Sequence, residues 1–428
     1  ADEHNDWINQ RDNSFDEHLL ISDKDKSNGT VLFENYSNGI KTAADAWMYN
    51  SSNLSLLGVS AAMVDEYNAE LERFETSGTA AKFKEFVQRN TNKISWHDGL
   101  FSKAERGLKA EHSGECIVTS EYRPYSKQLL YYDNHFVQRA GIMGKIFPTS
   151  TTDNRTIAIT GVGSKQFSVL MCGIISDIQL TFNGQNYPLK LYEEADTDGD
   201  DLFASDVDES GYREKGGITD YGLKHFHAAY RNTDITKEDV FYYVYSLLHS
   251  AEYRTRYADN LSKQLPRIPA VNQEQDFWAY SKAGRKLGDL HVNYETVERY
   301  PVTIVEGDLR LANISDPKSF YRVEQMRFAG KRPNLDKTTV VYNNNITMAD
   351  IPIKAYDYVV NGKPALDWVM ERQRVKTDKK SGIVNDANDY ANETMQNPAY
   401  PLELFQRVIT VSLETMKIVN GLPKLDID

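Results

Sequence analysis

One stretch constrains the fold more than any other: TKEDVFYYVYSLLHSAEYRTRYADNLSKQLPRIP, from Thr236 to Pro269. Thr236 followed three residues later by Asp239 is a capping box, in which each residue satisfies a backbone N–H of the other. Val240, Phe241, Val244, Leu247 and Leu248 then recur at helical spacing. Ser250 opens a second helix, in which Arg254, Arg256 and Lys263 sit among Tyr253, Tyr257 and Leu261. Pro266 and Pro269 end it, because proline lacks the N–H that a helix interior needs. The pattern predicts a helical hairpin with an apolar face and a wet, tyrosine-rich face. Such a hairpin is scaffold and requires other elements to cover it.

The rest of the chain supplies them. Two helices are expected between 55 and 90, one carrying Leu56, Leu57, Met63 and Leu71, the other reading TAAKFKEFVQRN. Between 115 and 147 strand pairs are expected around EYRPYSKQLLYYD. From 156 to 189 the sequence is apolar and β-branched, and Asn183-Gly184 is a strong hairpin signal. Residues 300–348 read as strands. AYDYVVNGKPALDWVMERQRV gives a turn at Asn361-Gly362 and then a helix; KTDKKSGIVNDANDYANE reads as a loop. A last helix starts at Pro401, is lined by Leu404, Phe405, Val408 and Ile409, and ends at Gly421. The expected class is α+β, with a mixed-sheet region over 1–215, the helical hairpin over 216–300, and β-hairpins with C-terminal helices over 301–428.

Charge narrows the function. The net charge of −13 speaks against a general nucleic-acid binder. It is unevenly spread, because nine acids and no base fall between Glu193 and Glu209. That run reads as a solvated acidic loop, and the remainder is near neutral and free to carry a basic groove. No apolar run reaches the roughly 18–20 residues of a membrane span. Cys116 and Cys172 are too few for a disulfide framework, which favours a reducing cytoplasm. The chain begins ADEHNDWINQRDNSF, which reads as a piece excised from a longer protein.

Catalytic signatures are weak. The phosphate loop GxxxxGK[ST] is absent. Gly161-Val162-Gly163 lacks the third glycine of a dinucleotide turn and reads as a plain turn. Asn397-Pro398-Ala399-Tyr400 approaches the Asn-Pro-Pro-Tyr of adenine methyltransferases, but polar residues precede it, so it reads as a helix start. Asp196 to Asp201 suggests a calcium loop, yet the twelfth position is Val207 rather than glutamate. His225-x-His227 lacks further ligands at metal-binding spacing.

Recognition chemistry remains. Arg and Lys bond guanine O6 and N7, and Gln bonds adenine N6 and N7. Arg123, Lys127 and Gln128 mix such donors with tyrosines, although Arg123 also reads as a structural arginine between aromatic rings. Lys165 and Gln166 share one turn, and Lys331 and Arg332 another, both open to reading as solvated turns. Lys103, Arg106 and Lys109 form the most basic stretch of the first third and read as phosphate contacts in a loop. Asn343-Asn344-Asn345 reads as a hairpin turn before an adenine reader.

Several of these segments, in this order, resemble the C-terminal specificity region of Type ISP restriction–modification enzymes. The helical hairpin is similar to one in that region, and HNDWINQRDNSF to the segment after its methyltransferase domain. EYRPYSKQLLYYD is similar to its Tyr-Arg-Pro-Phe-x-Lys…Leu-Tyr-Tyr-Asp motif, with Tyr125 in place of phenylalanine. GKPALDWVMERQRVKTDKKSGIVNDANDY and ITVSLETMKIVNGLP are similar to its closing signature, with Gln373 for tyrosine and Ala387 for proline. The resemblance implies a target recognition domain that binds double-stranded DNA as a monomer beside the methyltransferase domain of the same polypeptide. It implies no cofactor in this chain. ATP, Mg and S-adenosylmethionine belong to the parent enzyme's methyltransferase and translocase–nuclease domains. Two other readings stay open: an independent nuclease-type enzyme, and a structural clamp that holds DNA without reading it.

Overall fold

The capping box forms as expected at the start of helix Lys237–Leu247. Thr236 Oγ1 accepts from the Asp239 N–H at 3.1 Å, and the Asp239 carboxylate accepts from the Thr236 N–H at 3.0 Å. The computed structural model describes residues 11–25, 27–195, 211–306 and 314–427. Most of the acidic run, including the calcium-like segment, lies outside the described residues. Glu193 and Glu194 end strand Lys190–Glu194, which pairs with Tyr212–Gly216.

The helical hairpin differs from expectation in where its tyrosines go: they are buried, and the exposed face of its second helix carries Glu252, Thr255, Asp259 and Lys263 instead. Every residue from Val240 to Leu247 is buried, because helix Glu274–Val292 packs along this one. Gly284 permits the approach, since a Cβ there would lie 1.8 Å from the Tyr242 carbonyl oxygen. The tyrosines go inside because their hydroxyls find carbonyls. Tyr243 donates to Pro269 O and Tyr253 to Arg267 O, each at 2.7 Å. A buried phenol with a paired O–H contributes its apolar area without an orphaned polar atom. The second helix also breaks at Tyr257, into Ala251–Arg256 and Ala258–Lys263.

Three cores make an α+β fold. The first joins the long helix Asn53–Ser77 to a three-stranded sheet, in which Ser126–Tyr131 lies between Tyr49–Asn50 and Ile117–Arg123. The second surrounds the helical hairpin, and the third holds the C-terminal strands with helices Ala365–Arg372 and Tyr400–Asn420. The last two share the antiparallel strands Thr156–Ile159 and Val169–Cys172. Ile157, Ile159, Val169 and Met171 face the helical hairpin, while Ala158, Leu170 and Cys172 face the C-terminal core. A sheet covered on both sides needs apolar residues at every position, which is why TIAITGV and FSVLMCG show no alternation.

Local departures have local causes. The helix expected from TAAKFKEFVQRN shrinks to Phe83–Phe86. At Asn183-Gly184 the left-handed residues are Phe182 and Asn183, both at φ 53°, so the turn sits one residue early. Asn361 and Gly362 do form the expected two-residue hairpin turn, at φ 55° and 70° between Val359–Val360 and Lys363–Pro364. The largest departure is KTDKKSGIVNDANDYANE. It forms a hairpin of Val375–Thr377 with Val384–Asp386, followed by helical turns. The Asp378 carboxylate closes it by accepting from the N–H groups of Lys380 and Ser381.

Candidate nucleic-acid interface

Two segments far apart in sequence meet across one groove. The first wall is Asp45, Tyr49, Tyr122, Arg123 and Gln128, and Arg123 opens the turn Arg123-Pro124-Tyr125-Ser126 that joins strands Ile117–Arg123 and Ser126–Tyr131. Proline precedes a residue of positive φ, as a type II turn requires, but that residue is Tyr125 at φ 56° rather than glycine. A bulky side chain there is strained by about 1 kcal/mol or more. Burial holds it: Tyr125 is 1% exposed, donates to the Tyr358 hydroxyl at 3.1 Å, and meets the Tyr294 ring edge-on.

The turn fixes Arg123. Its Nη1 donates to Asp177 Oδ1 at 2.8 Å and to the Tyr122 carbonyl at 2.5 Å, and its Nη2 reaches Asp45 Oδ2 at 3.4 Å. The guanidinium also lies 3.8 Å over the Tyr122 ring. Burial pushes the Asp177 carboxyl up to about 6 while Arg123 pulls it down, so the pair is ionic at neutral pH. Arg123 is therefore a structural arginine, stacked on the Tyr122 ring, and its charge is spent on Asp177 and Asp45.

The second wall is the 375–386 hairpin. In its register Lys376 stands opposite Asn385. Arg374, two residues before Lys376, projects to the same side. Asn385 donates to Gln128 Oε1 at 3.3 Å and accepts from the Ser51 N–H at 3.1 Å, while Asn50 donates to the Val384 carbonyl. These bonds clamp the hairpin onto the first core. Arg372 ends helix Ala365–Arg372 and donates to Glu371 Oε1 at 2.7 Å, but its buried Nε has no partner among the described residues. Burial and the nearby Arg123 charge both lower the Arg372 pKa. The enclosed space is about 400 Å³, and Asp45, Glu371 and Asp378 also border it. Among the described residues, Arg374 and Lys376 make no ion pair, so they are the available cations at its mouth. Guanidinium, ammonium and amide groups of this kind bind phosphate oxygens and base edges.

The other residues singled out from the sequence are dispersed. Lys103 lies on helix Asp98–Glu105 rather than in a loop, and its ammonium donates to the carbonyls of Asn134 and His135, each at 2.6 Å. Arg106 and Lys109 are exposed just beyond that helix. Lys127 turns inward to Glu295 Oε2 at 2.6 Å. Lys165 and Gln166 are exposed, with the Lys165 ammonium 4.0 Å over the Phe182 ring. Lys331 and Arg332 sit at the exposed tip of the hairpin Arg327–Lys331 and Asn334–Val341. His227 bonds the Ile235 carbonyl, and Asn397 to Tyr400 lead into the final helix. Of the ten residues, the structure brings Arg123 and Gln128 together in the groove. It adds Arg372, Arg374 and Lys376, whose signal was the alternation Arg-x-Arg-x-Lys, and Asn385, which that alternation does not include.

A family model described as the Type ISP C-terminal specificity domain matches residues 31–404. Among solved structures, the chain is similar to a nuclease-deletion mutant of the Type ISP restriction-modification enzyme LlaGI in complex with a DNA substrate mimic. Identity there is 32% and the TM-score 0.82, over 100% of this chain and 30% of that one. It is also similar to the ATP-dependent Type ISP restriction-modification enzyme LlaBIII bound to DNA, at 34% identity and TM-score 0.82, covering 99% of this chain and 25% of that one. A third similar structure is a DrdV–DNA complex, at 26% identity and TM-score 0.77, over 98% of this chain and 39% of that chain. The chain thus spans well under half the length of these relatives. Among curated proteins, none matches. With its sequence matched over most of its length and its fold matched end to end, the chain belongs to the Type ISP C-terminal specificity domain family.

Proposed function

We propose that the chain is the target recognition domain of a Type ISP restriction–modification enzyme. It binds duplex DNA and reads the target site for the methyltransferase and the translocase–nuclease of the polypeptide that carries it. The observation that supports this reading is the groove, where Arg374 and Lys376 stand unpaired beside the Gln128 and Asn385 amides. In this reading Arg374 and Lys376 contact phosphates, while Arg123 and Arg372, held by their carboxylate partners, shape the groove behind them. An overall acidic chain binds DNA through a local pair of cations that no carboxylate among the described residues neutralises.

ATP, Mg and S-adenosylmethionine act in the other domains, and the chain itself works without a cofactor. Its partners are double-stranded DNA and the methyltransferase domain of the same polypeptide. It acts as a monomer in the cytoplasm, where Cys116 and Cys172 stay reduced; both are free, and no described helix is long and apolar enough to cross a membrane.

The test is equilibrium binding of the full polypeptide to a duplex carrying its site, across a range of salt concentrations. Replacing Arg374 and Lys376 together by alanine is expected to weaken binding and to reduce the salt slope by about two units, one per phosphate contact. Unchanged affinity and slope in a folded variant would move the DNA surface elsewhere. Equal affinity of the native protein for cognate and randomised duplexes would make the domain a clamp rather than a reader.

A further inference from the structure

We propose that a second cleft, bordering the groove, reads base edges in the DNA major groove, with Gln325, Arg327 and Asn344 as the specificity-determining side chains. This rests on the DNA-binding reading above. The cleft encloses about 410 Å³ between residues 319–327 and the turn at 341–345. It adjoins the groove because Gln325 pairs with Arg374 across an antiparallel bridge, and the Val375 N–H bonds the Glu324 carbonyl.

The walls are rigid. Tyr342 is buried and donates to the Tyr321 carbonyl at 2.6 Å. Asn343 is consumed in holding the turn. Its Nδ2 donates to the carbonyls of Phe320 and Arg322, and its Oδ1 accepts from the N–H groups of Asn345 and Ile346. The buried Asn388 fixes the opposite side by bonding both backbone groups of Val323 at 2.9 Å. Arg322 is likewise engaged, with Glu324 and Asp386.

What these fixed residues present is different. Gln325, Arg327 and Asn344 are exposed, line the cleft and bond no side-chain partner among the described residues. An amide offers a donor and an acceptor side by side, whereas phosphate takes donors only. Two unspent amides and one unspent guanidinium on a rigid floor therefore suit base edges better than the backbone. Amides match adenine N6 and N7, and the guanidinium matches guanine O6 and N7. The groove and the cleft then divide the work: Arg374 and Lys376 hold the strand in register, and the cleft inspects the bases.

The experiment uses the full polypeptide and a panel of duplexes, each carrying one substituted base pair of the target. Gln325→Ala, Arg327→Ala and Asn344→Ala are compared with Arg374→Ala and Lys376→Ala, with thermal melting to confirm folding. Each cleft variant is expected to lose about 5- to 150-fold of discrimination at one or two positions and to keep it elsewhere. The groove variants are expected to weaken every duplex alike. Cleft variants that keep native discrimination, or that weaken all duplexes equally, overturn the assignment while the groove effect leaves DNA binding standing. If the folded groove variants also bind as the native protein does, the DNA-binding reading of the groove fails with it.

Discussion

Asp177 keeps Arg123 inside the protein: the two meet at 2.8 Å, with Asp177 2% and Arg123 11% exposed at the side chain. The pair joins strand Ile117–Arg123 to the segment that follows Val169–Cys172, so it ties the first core to the central sheet. Removing one partner of a buried ion pair strands the other charge and costs about 3–5 kcal/mol. Arg123→Ala is therefore expected to lower stability by that order, measured by denaturant unfolding. Arg123→Lys is expected to recover only part of it, because an ammonium cannot span Asp177, Asp45 and the Tyr122 carbonyl together. An alanine variant as stable as the native chain would refute the structural role.

Lys127 and the pair Arg374 and Lys376 should behave oppositely. Lys127 is bonded to Glu295, which also accepts from the Tyr400 hydroxyl at 2.5 Å. This cluster joins strand Ser126–Tyr131 to the end of helix Glu274–Val292 and the start of the final helix. Lys127→Met is expected to destabilise by a few kcal/mol and to leave the salt dependence of DNA binding unchanged. Arg374→Ala and Lys376→Ala are expected to change stability by less than about 0.5 kcal/mol, as surface substitutions do. A change of salt slope in a folded Lys127→Met variant would place Lys127 on the DNA.

Glu121 should make stability depend on pH. It is fully buried, Tyr294 donates to it at 3.1 Å, and burial raises its pKa from 4.5 to about 7, with Lys127 lowering it and Glu295 raising it. The folded state holds this proton over a range in which the unfolded chain has lost it. The contribution is therefore fully present below pH 4.5 and is lost as pH rises towards 7. Glu121→Gln, neutral at every pH, should match the native chain near pH 4 and exceed it near pH 8. The gain at pH 8 should be on the order of 1–3 kcal/mol. Parallel melting curves of the two proteins at both pH values check this, and a gap that does not widen with pH would rule it out.

Legibility in the sequence followed how local each cause was. The Thr236 capping box and the Asn361-Gly362 turn rest on neighbouring residues and could be read directly. The apolar runs around Ile157 and Leu170 announced strands but not that two different cores would cover their two faces. The tyrosines of the helical hairpin misled, because their burial depends on carbonyls of Arg267 and Pro269 that only the tertiary fold supplies. The groove was half visible. Arg123 and Gln128 stood out beside aromatic residues, whereas Arg374, Lys376 and Asn385 lay in a polar stretch without the hydrophobic alternation that marks a strand. Their pairing depends on Asn50, Ser51 and Gln128, more than 250 residues away.

The two glycines facing helix Lys237–Leu247 allow a last, graded prediction. At Gly284 an added Cβ would meet the Tyr242 carbonyl oxygen at 1.8 Å and its carbon at 2.6 Å, and neither can move without displacing the helix. At Gly288 the nearest atom is the Met171 sulfur at 2.7 Å, followed by the Tyr242 ring at 3.2 Å. A thioether on a flexible stem adopts another rotamer at small expense. On helix propensity alone both changes to alanine would stabilise by up to about 1 kcal/mol. Overpacking should reverse the sign strongly at position 284 and weakly at 288, because only the former forces backbone apart. Gly284→Ala is expected to destabilise by at least about 3 kcal/mol or to prevent folding, and Gly288→Ala by less than about 1.5 kcal/mol. Denaturant unfolding of the two variants side by side decides it: equal effects would mean that the helices separate freely and that the buried tyrosine face of Lys237–Leu247 does not depend on this contact.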